Sequence, residues 1–133
     1  MTDEMDALWL RMLPLLEAIS NKVSRSQPSH LKEIGRSDNE TYLMRAYLAF
    51  KKQNGGSEVA VTVDIRRQGN LFKIDADICT DEGKLVVPTQ VYEVLAKEVI
   101  GNPEPWKDGW LNDFEHWLFN QEAVLISAVS ELT

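Results

Sequence analysis

The fold is decided by residues 42–87, which read YLMRAYLAFKKQNGGSEVAVTVDIRRQGNLFKIDADICTDEGKLVV. Apolar and polar residues alternate through most of this stretch, and groups rich in Gly, Asn and Asp interrupt it at 54–56, 68–70 and 81–83. Alternation places successive side chains on opposite faces of a strand, and the interruptions are typical of hairpin turns. The stretch therefore predicts a four-stranded antiparallel meander whose last strand is Lys84–Val87.

The first of these strands, Tyr42–Phe50, also has apolar residues at helical spacing. Five apolar residues in strict alternation, followed by the hairpin signal Asn54-Gly55, favour a strand. A two-residue loop at Asn54-Gly55 also brings opposite charges together across the strands, which stabilises a hairpin. The predicted pairs are Lys51 with Glu58, Arg45 with Asp64, Phe50 with Val59, Leu48 with Val61 and Ala46 with Val63.

The second hairpin has two alignments that keep its apolar residues on one face. A loop at Gln68-Gly69 sets Asp64 opposite Lys73, whereas a loop at Gly69-Asn70 sets Asp64 opposite Asp75. Opposite charges across strands are worth up to about 1 kcal/mol, and like charges cost a similar amount. Charge pairing therefore predicts the loop at Gln68-Gly69, with Ile65 opposite Phe72 and Val63 opposite Ile74.

Helices are predicted on both sides of the meander. Apolar residues three and four apart predict a helix over residues 3–23. Residues 24–39 are polar and predict a connection with one helical turn near His30–Ile34. Thr89 is positioned to cap a helix over Gln90–Ile100, and a last helix is predicted over Trp110–Leu132. The fold class is therefore α+β within a single domain, residues 1–133: an N-terminal helix, a four-stranded antiparallel meander sheet and two C-terminal helices packed on one sheet face.

The charge of the chain is unevenly distributed. The net charge is −7; residues 1–73 hold 11 Lys and Arg against 9 Asp and Glu, whereas residues 74–133 hold 3 against 12. An acidic half disfavours nucleic acid and anionic membranes and favours a basic protein partner. The longest charge-free hydrophobic run, 123–130, is far shorter than a membrane span. The acidic N-terminus does not resemble a secretory signal, so a cytoplasmic location is expected.

Residue types that carry chemistry are few. The chain has two histidines, His30 and His116, neither with a metal-ligand partner at suitable spacing, and one cysteine, Cys79, without a context that would activate it. No phosphate loop, dinucleotide fingerprint or nucleophile elbow occurs. We therefore expect no catalytic residues, no metal and no cofactor, which favours a non-enzymatic role.

Two sets of residues are candidates for binding a partner. Tyr47, Asp75 and Asp77 are predicted on the face of the sheet away from the helices, where a flat acidic surface suits a partner's arginine or lysine. The second set, Trp106, Asp108 and Asp113, combines an aromatic side chain with carboxylates.

The leading hypothesis is a non-enzymatic, acidic protein-interaction domain that binds a basic protein or self-associates as a homodimer. Immunity proteins and secretion chaperones include small acidic domains of this kind, a likeness of size and charge alone. The alternative is a small-ligand-binding protein or enzyme with an aromatic pocket between sheet and helices. The residues predicted to line that pocket are Trp9, Tyr42, Met44, Tyr92 and Trp117.

Overall fold

The architecture is an antiparallel sheet with helices on one side. A computed structural model describes residues 4–38, 42–95 and 109–132. The elements are α1 (Glu4–Ser26), β1 (His30–Ser37), β2 (Met44–Lys52), β3 (Glu58–Gln68), β4 (Leu71–Thr80), β5 (Gln90–Leu95), α2 (Trp110–Asn120) and α3 (Glu122–Ser130). The predicted α+β class and N-terminal helix are confirmed. Two helices do follow the sheet, but both lie within the single helix predicted over Trp110–Leu132, and the sheet has five strands rather than four.

The strands follow one another in space in the order of the chain, each antiparallel to the next. Alternate residues of β2, β3 and β4 are buried, and they join buried residues of all three helices in a hydrophobic cluster. One face of the sheet, the inner face, therefore packs on the helices. The other is called the outer face below.

Helix α1 forms because its apolar residues recur every three or four positions. The buried positions include Leu8, Met12, Leu16 and Ile19, all with no exposed surface. Acidic residues Glu4 and Asp6 lie in the first turn, where they complement the helix dipole. The predicted helix is confirmed, and it continues to Ser26.

Strand β1 replaces the predicted connection and its helical turn near His30–Ile34. Its register with β2 places Lys32 and Arg36 on the inner face beside Ile34. Because these inward positions carry charged residues, the sequence of β1 lacks the alternation of apolar and polar residues that would identify a strand. Lys32 Nζ donates to Asn21 Oδ1 at 2.9 Å and Arg36 Nη1 to Asp6 Oδ1 at 2.8 Å, so α1 supplies a partner to each cation. Arg36 Nη2 also donates to Asp38 Oδ2 at 2.7 Å. Inward-pointing charges are common on edge strands, where they discourage pairing with other chains.

The predicted register of the first hairpin is confirmed at all five pairs, including Arg45 opposite Asp64 and Lys51 opposite Glu58. The predicted register of the second hairpin is wrong. Asp64 lies opposite Asp75, and the loop is Gly69-Asn70. Gly69 has φ +64° at the first central position of this loop, which glycine adopts without strain.

Long side chains compensate the like charges that this second register creates. Asp64 is paired with Arg45 of the preceding strand, and Arg66 reaches diagonally to Asp75. Diagonal neighbours on a sheet are within reach of an arginine side chain. The geometry of the turn therefore determines the register, and charge pairing adapts to it.

Strand β5 occupies residues for which a helix was predicted. Tyr92 and Val94 pair with Ile74 and Phe72 and face inward, whereas Val91 is 48% exposed. Residues 96–100 of the predicted helix lie outside the described residues. The predicted strand Lys84–Val87 is reduced to one bridge, between Leu85 and Cys79. β5 and the short segment around Leu85, which turns back along β4, therefore pair with the same edge of β4.

The predicted helix Trp110–Leu132 is divided at Gln121 into α2 and α3. Trp110, Phe114, Leu118 and Leu125 of these two helices are buried. The break changes the direction of the chain, and α3 contacts α1 and β3.

Candidate functional site

The outer face contains three aspartates, each of which accepts a hydrogen bond from a neighbouring strand. Arg45 donates twice to Asp64, with Nε–Oδ1 of 2.6 Å and Nη2–Oδ2 of 3.1 Å. Arg66 Nη2 donates to Asp75 Oδ2 at 2.7 Å, and Thr62 Oγ1 donates to Asp77 Oδ1 at 2.7 Å. The outer face is therefore a cross-strand polar network that satisfies much of its own charge.

The central pair of this network is partly buried. The Asp64 side chain is 13% exposed and that of Arg45 39%. The hydrogen bond to Asp64 raises the pKa of the Arg45 guanidinium above its ordinary value, while partial burial opposes that shift. The guanidinium also lies 4.5 Å from the centre of the Tyr42 ring, a cation–π distance. The side chains of Arg45 and Asp64 therefore have their main interaction partners within the protein itself.

Tyr47 lies over the neighbouring strand. A Cβ placed on Gly35 would lie 2.5 Å from Tyr47 Oη and 2.8 Å from Cζ, so the ring covers the glycine backbone. Tyr47, Asp75 and Asp77 do share the outer face, as predicted, with Tyr47 opposite Thr62 and Thr62 opposite Asp77. The exposed apolar residues Leu31 and Val91 lie on the first and the fifth strand, so they do not form a continuous patch.

Cys79 stands at the border of the outer face, bridged to Leu85. Burial raises the pKa of its thiol, and the carboxylate of Asp77 raises it further. A raised pKa lowers the fraction of thiolate, the reactive form. The environment of Cys79 is therefore that of an unreactive thiol.

Of the second predicted partner set, only Asp113 lies within the described residues. Asp113 is exposed in the first turn of α2. Trp106 and Asp108 lie outside the described residues, so this set stays a prediction.

The residues predicted to line an aromatic pocket occupy different environments. Met44 is fully buried in the core, and Trp9 packs at its margin. Tyr42 contacts Arg45 of the outer face. Tyr92 and Trp117 lie at the two ends of a row of rings with Trp110 and Phe114 between them, at centroid separations of 5.6, 5.9 and 6.0 Å. Burial, and to a lesser degree the charge of Asp113, raises the pKa of Tyr92 to about 12.

A groove of about 720 Å³ opens at the end of the sheet where β3 begins and β4 ends. One wall is the turn and short return that follow β4, and the other is α3 with the residues just after it. We call this feature the α3 groove. It is lined by Ser57, Glu58, Val59, Thr80, Asp81, Glu82, Lys84, Leu85, Val86, Ala123, Val124, Ser127, Ala128, Glu131 and Leu132.

Charge around the α3 groove is one-sided. Glu58, Asp81, Glu82 and Glu131 contribute four carboxylates, and Lys84 is the one basic residue among the described lining residues. None of the four carboxylates forms a salt bridge with another residue in the described ranges. Leu85, 49% exposed, contributes apolar surface between these charges. Unlike the acidic residues of the outer face, those of the groove form no salt bridge within the described ranges, although Glu58 stands opposite Lys51 in the register of β2 and β3.

Backbone hydrogen bonds hold the β-side wall of the groove in place. Thr80 N–H donates to Lys84 O at 2.9 Å, Gly83 N–H to Thr80 O at 2.9 Å and Val86 N–H to Ile78 O at 2.8 Å. Gly83 has φ +79°, which favours glycine at the turn. The side chains of Asp81, Glu82 and Leu85 are exposed on this fixed backbone.

Sequence reasoning missed the groove because its walls come from distant segments. One signal was present: residues 123–130 form the longest charge-free hydrophobic run of the chain. Its length excludes a membrane span, and hydrophobicity alone does not distinguish a binding surface from a buried helix. Within the described ranges, no helix has the length and hydrophobicity needed to cross a membrane.

The described residues show no grouping of side chains suited to metal binding. Across residues 4–38, 42–95 and 109–132, no three His, Cys, Asp or Glu side chains are grouped so that they could hold a metal ion. No protein-family model, no curated protein and no solved structure matches the chain. The geometry of the chain itself is therefore the basis for a functional proposal.

Proposed function

We propose that this protein is a non-enzymatic interaction domain that binds a basic partner protein through the α3 groove. The observation that carries the proposal is the combination of an open apolar groove with four carboxylates and one lysine. Partner contacts made by such a surface join apolar burial, which supplies affinity, to charge complementarity, which speeds association and selects the partner.

The groove supports this function better than the outer face does. On the outer face, Asp64, Asp75 and Asp77 already accept hydrogen bonds from Arg45, Arg66 and Thr62. A partner's arginine would have to compete with these internal donors. In the groove, a partner's cation gains interactions with Glu58, Glu82 or Glu131 without breaking a salt bridge.

Net charge favours a different protein over a second copy. The chain has a net charge of −7, and a copy of an acidic protein is repelled by an acidic groove. Self-association therefore remains the secondary form of the proposal, and its measurement is sedimentation equilibrium over a range of protein concentrations.

A comparison of two triple charge reversals tests the proposal. The groove variant is Glu58→Lys, Glu82→Lys and Glu131→Lys; the matched control is Glu17→Lys, Glu33→Lys and Glu115→Lys, at exposed positions that do not line the groove. Both variants change net charge equally. We expect the wild type and the control to retain a basic protein from a source-cell extract, releasable by salt, and the groove variant to lose it.

Two outcomes would contradict the proposal. Retention of the same partner by the groove variant would place binding elsewhere on the molecule. Failure of the wild type to enrich any protein of high isoelectric point would remove the basic partner altogether.

A further inference from the structure

We infer that the α3 groove takes its partner as an amphipathic helix, lying along α3 with apolar residues inward and lysine or arginine at its margins. This inference rests on the proposed function and specifies the conformation and chemistry of the bound segment. It is carried by the composition of α3, by the strand edges that the sheet has already used and by the charge of the groove.

Helix α3 has more apolar surface than its own chain covers. Its sequence, EAVLISAVS, has one charged residue, Glu122, and its buried residues are Leu125 and Val129. Val124 and Ala128 are half-buried and line the groove, and Ala123 is exposed there. Helices that are apolar on all sides normally have neighbours on more than one face. The groove side of α3 is the face that lacks one within the described residues.

The groove side of α3 has small side chains at helical spacing. Ala123 and Ser127 are four residues apart and therefore lie one turn above the other, with Glu131 a further turn along. Small residues let a second helix approach closely, at the 8–10 Å between axes that packed helices adopt. Val124 and Ala128 follow beside them and provide apolar contact. This surface fits a helix, whose own ridges fill the space between such rows.

An extended segment has little backbone to pair with in this groove. β4 is paired along one side with β3, and its other side is used by β5 and by the bridge at Leu85. Strand addition depends on a row of free backbone donors and acceptors at a sheet edge. The return after β4 has a single bridged residue, which is too short for a ladder. Docking of a helix in the groove requires no such edge.

The charges select a basic helix. Glu58 and Glu82 belong to the β side of the groove and Glu131 to the helical side, so acidic residues line both walls. A helix with leucines on one face and lysines on both flanks would place its cations opposite these groups. Exposed ion pairs each contribute little affinity, so apolar contact with Leu85 and α3 supplies the larger share.

Three synthetic 14-residue peptides test this inference directly. The first contains leucine and lysine at helical period, the second has the same composition in strict alternation, which favours a strand, and the third replaces lysine by glutamate in the helical design. Binding is measured by fluorescence anisotropy, helix formation by circular dichroism, and the site by amide chemical shifts of the ¹⁵N-labelled protein.

We expect the helical lysine peptide to bind at least about tenfold more tightly than either of the others, a difference of about 1.4 kcal/mol. Its ellipticity should become helical on binding, and the shifted amides should fall in residues 80–86 and 123–132. Equal binding of the alternating peptide, or shifts confined to the outer face, would overturn the inference.

Two single variants make the result specific. Ser127→Trp fills the groove from an exposed position, and Asn120→Trp adds the same side chain at an exposed position of α2 that does not line the groove. Ser127→Trp should weaken the helical peptide about tenfold or more, and Asn120→Trp should leave its affinity unchanged. Equal effects of the two variants would also overturn the inference.

The peptide experiment and the charge-reversal experiment fail independently. If the wild type and the matched control retain a basic partner that the groove variant loses, while no peptide binds, the helical mode is wrong and the proposed function stands. If peptides bind the groove but no basic protein is enriched, the surface recognises basic helices and the proposed cellular function is wrong.

Discussion

The outer face and the α3 groove both contain several carboxylates, but these groups differ in the partners that the rest of the protein provides. On the outer face, arginine and threonine side chains of neighbouring strands donate to Asp64, Asp75 and Asp77 at 2.6–3.1 Å. In the groove, four carboxylates surround apolar surface with one lysine among the described lining residues. Acidic composition alone does not locate a binding site, because charge already satisfied within the fold has less to offer a partner.

The largest effect expected from this difference is on the free energy of unfolding. Asp64→Ala removes both hydrogen bonds of Arg45 from a partly buried pair and should destabilise the protein by about 1–3 kcal/mol. Glu82→Ala, in the groove, should change stability by less than about 0.5 kcal/mol. Urea unfolding monitored by tryptophan fluorescence measures both. Similar losses in the free energy of unfolding for the two variants would contradict the proposed difference between the two surfaces.

A second test concerns the packing of Tyr47 on Gly35. Gly35→Ala introduces a Cβ that would lie 2.5 Å from Tyr47 Oη and 2.8 Å from the ring carbon Cζ, and it should destabilise the wild type by about 1 kcal/mol. In a Tyr47→Ala background the same substitution should be neutral or stabilising, because alanine restricts the unfolded chain more than glycine does. A double-mutant cycle by urea unfolding gives the coupling. Additive effects would show that the ring does not cover Gly35.

A third prediction concerns the reactivity of the Cys79 thiol at the border of the outer face. Because burial and Asp77 raise the pKa of its thiol, reaction with a disulfide reagent at pH 8 should be several-fold slower in the folded protein than in the urea-unfolded chain. Asp77→Asn should accelerate the folded reaction, since it removes a negative charge that opposes thiolate formation. An unchanged rate in that variant would mean that burial alone protects the thiol.

The smallest effect is expected at Glu131. Glu131→Gln removes one of four like charges in the groove and should raise the free energy of unfolding by a few tenths of a kcal/mol at low salt. The gain should disappear at 1 M salt, where the Debye length is about 3 Å. Loss of stability instead would show that Glu131 has a favourable partner. Thermal unfolding at the two salt concentrations makes the comparison.

Local signals predicted the fold class, α1 and the first hairpin because several of them agreed there. In that hairpin the turn residues, the apolar alternation and two charge pairs all require one register. In the second hairpin the requirements conflict, and the positive φ of Gly69 prevails over direct charge pairing. Charge pairing could not decide the register because arginines also reach diagonal neighbours.

The missed strands have a different cause. β1 has Lys32 and Arg36 on its inner face. Asp38 is a local partner of Arg36, but Asn21 and Asp6 are supplied by α1, which local sequence cannot reveal. In β5, the spacing of Val91 and Leu95 is compatible with a helix, and only the free edge of β4 makes a strand preferable. Both strands depend on contacts between distant segments.

The candidate site was least predictable. Tyr47, Asp75 and Asp77 were correctly placed together on the outer face, but their hydrogen-bond partners depend on a register that was predicted wrongly. The α3 groove combines residues 57–59, 80–86 and 123–132. Its one local indication was the charge-free run at 123–130.

The turn after β4 is anchored by main-chain groups of Thr80, Gly83 and Val86 rather than by side chains of Asp81, Glu82 or Leu85. Substitutions at those three exposed positions can therefore change the surface of the groove while its backbone stays intact. Under the proposed function, partner preference is separable from folding at this wall, which makes it the natural place to redesign specificity.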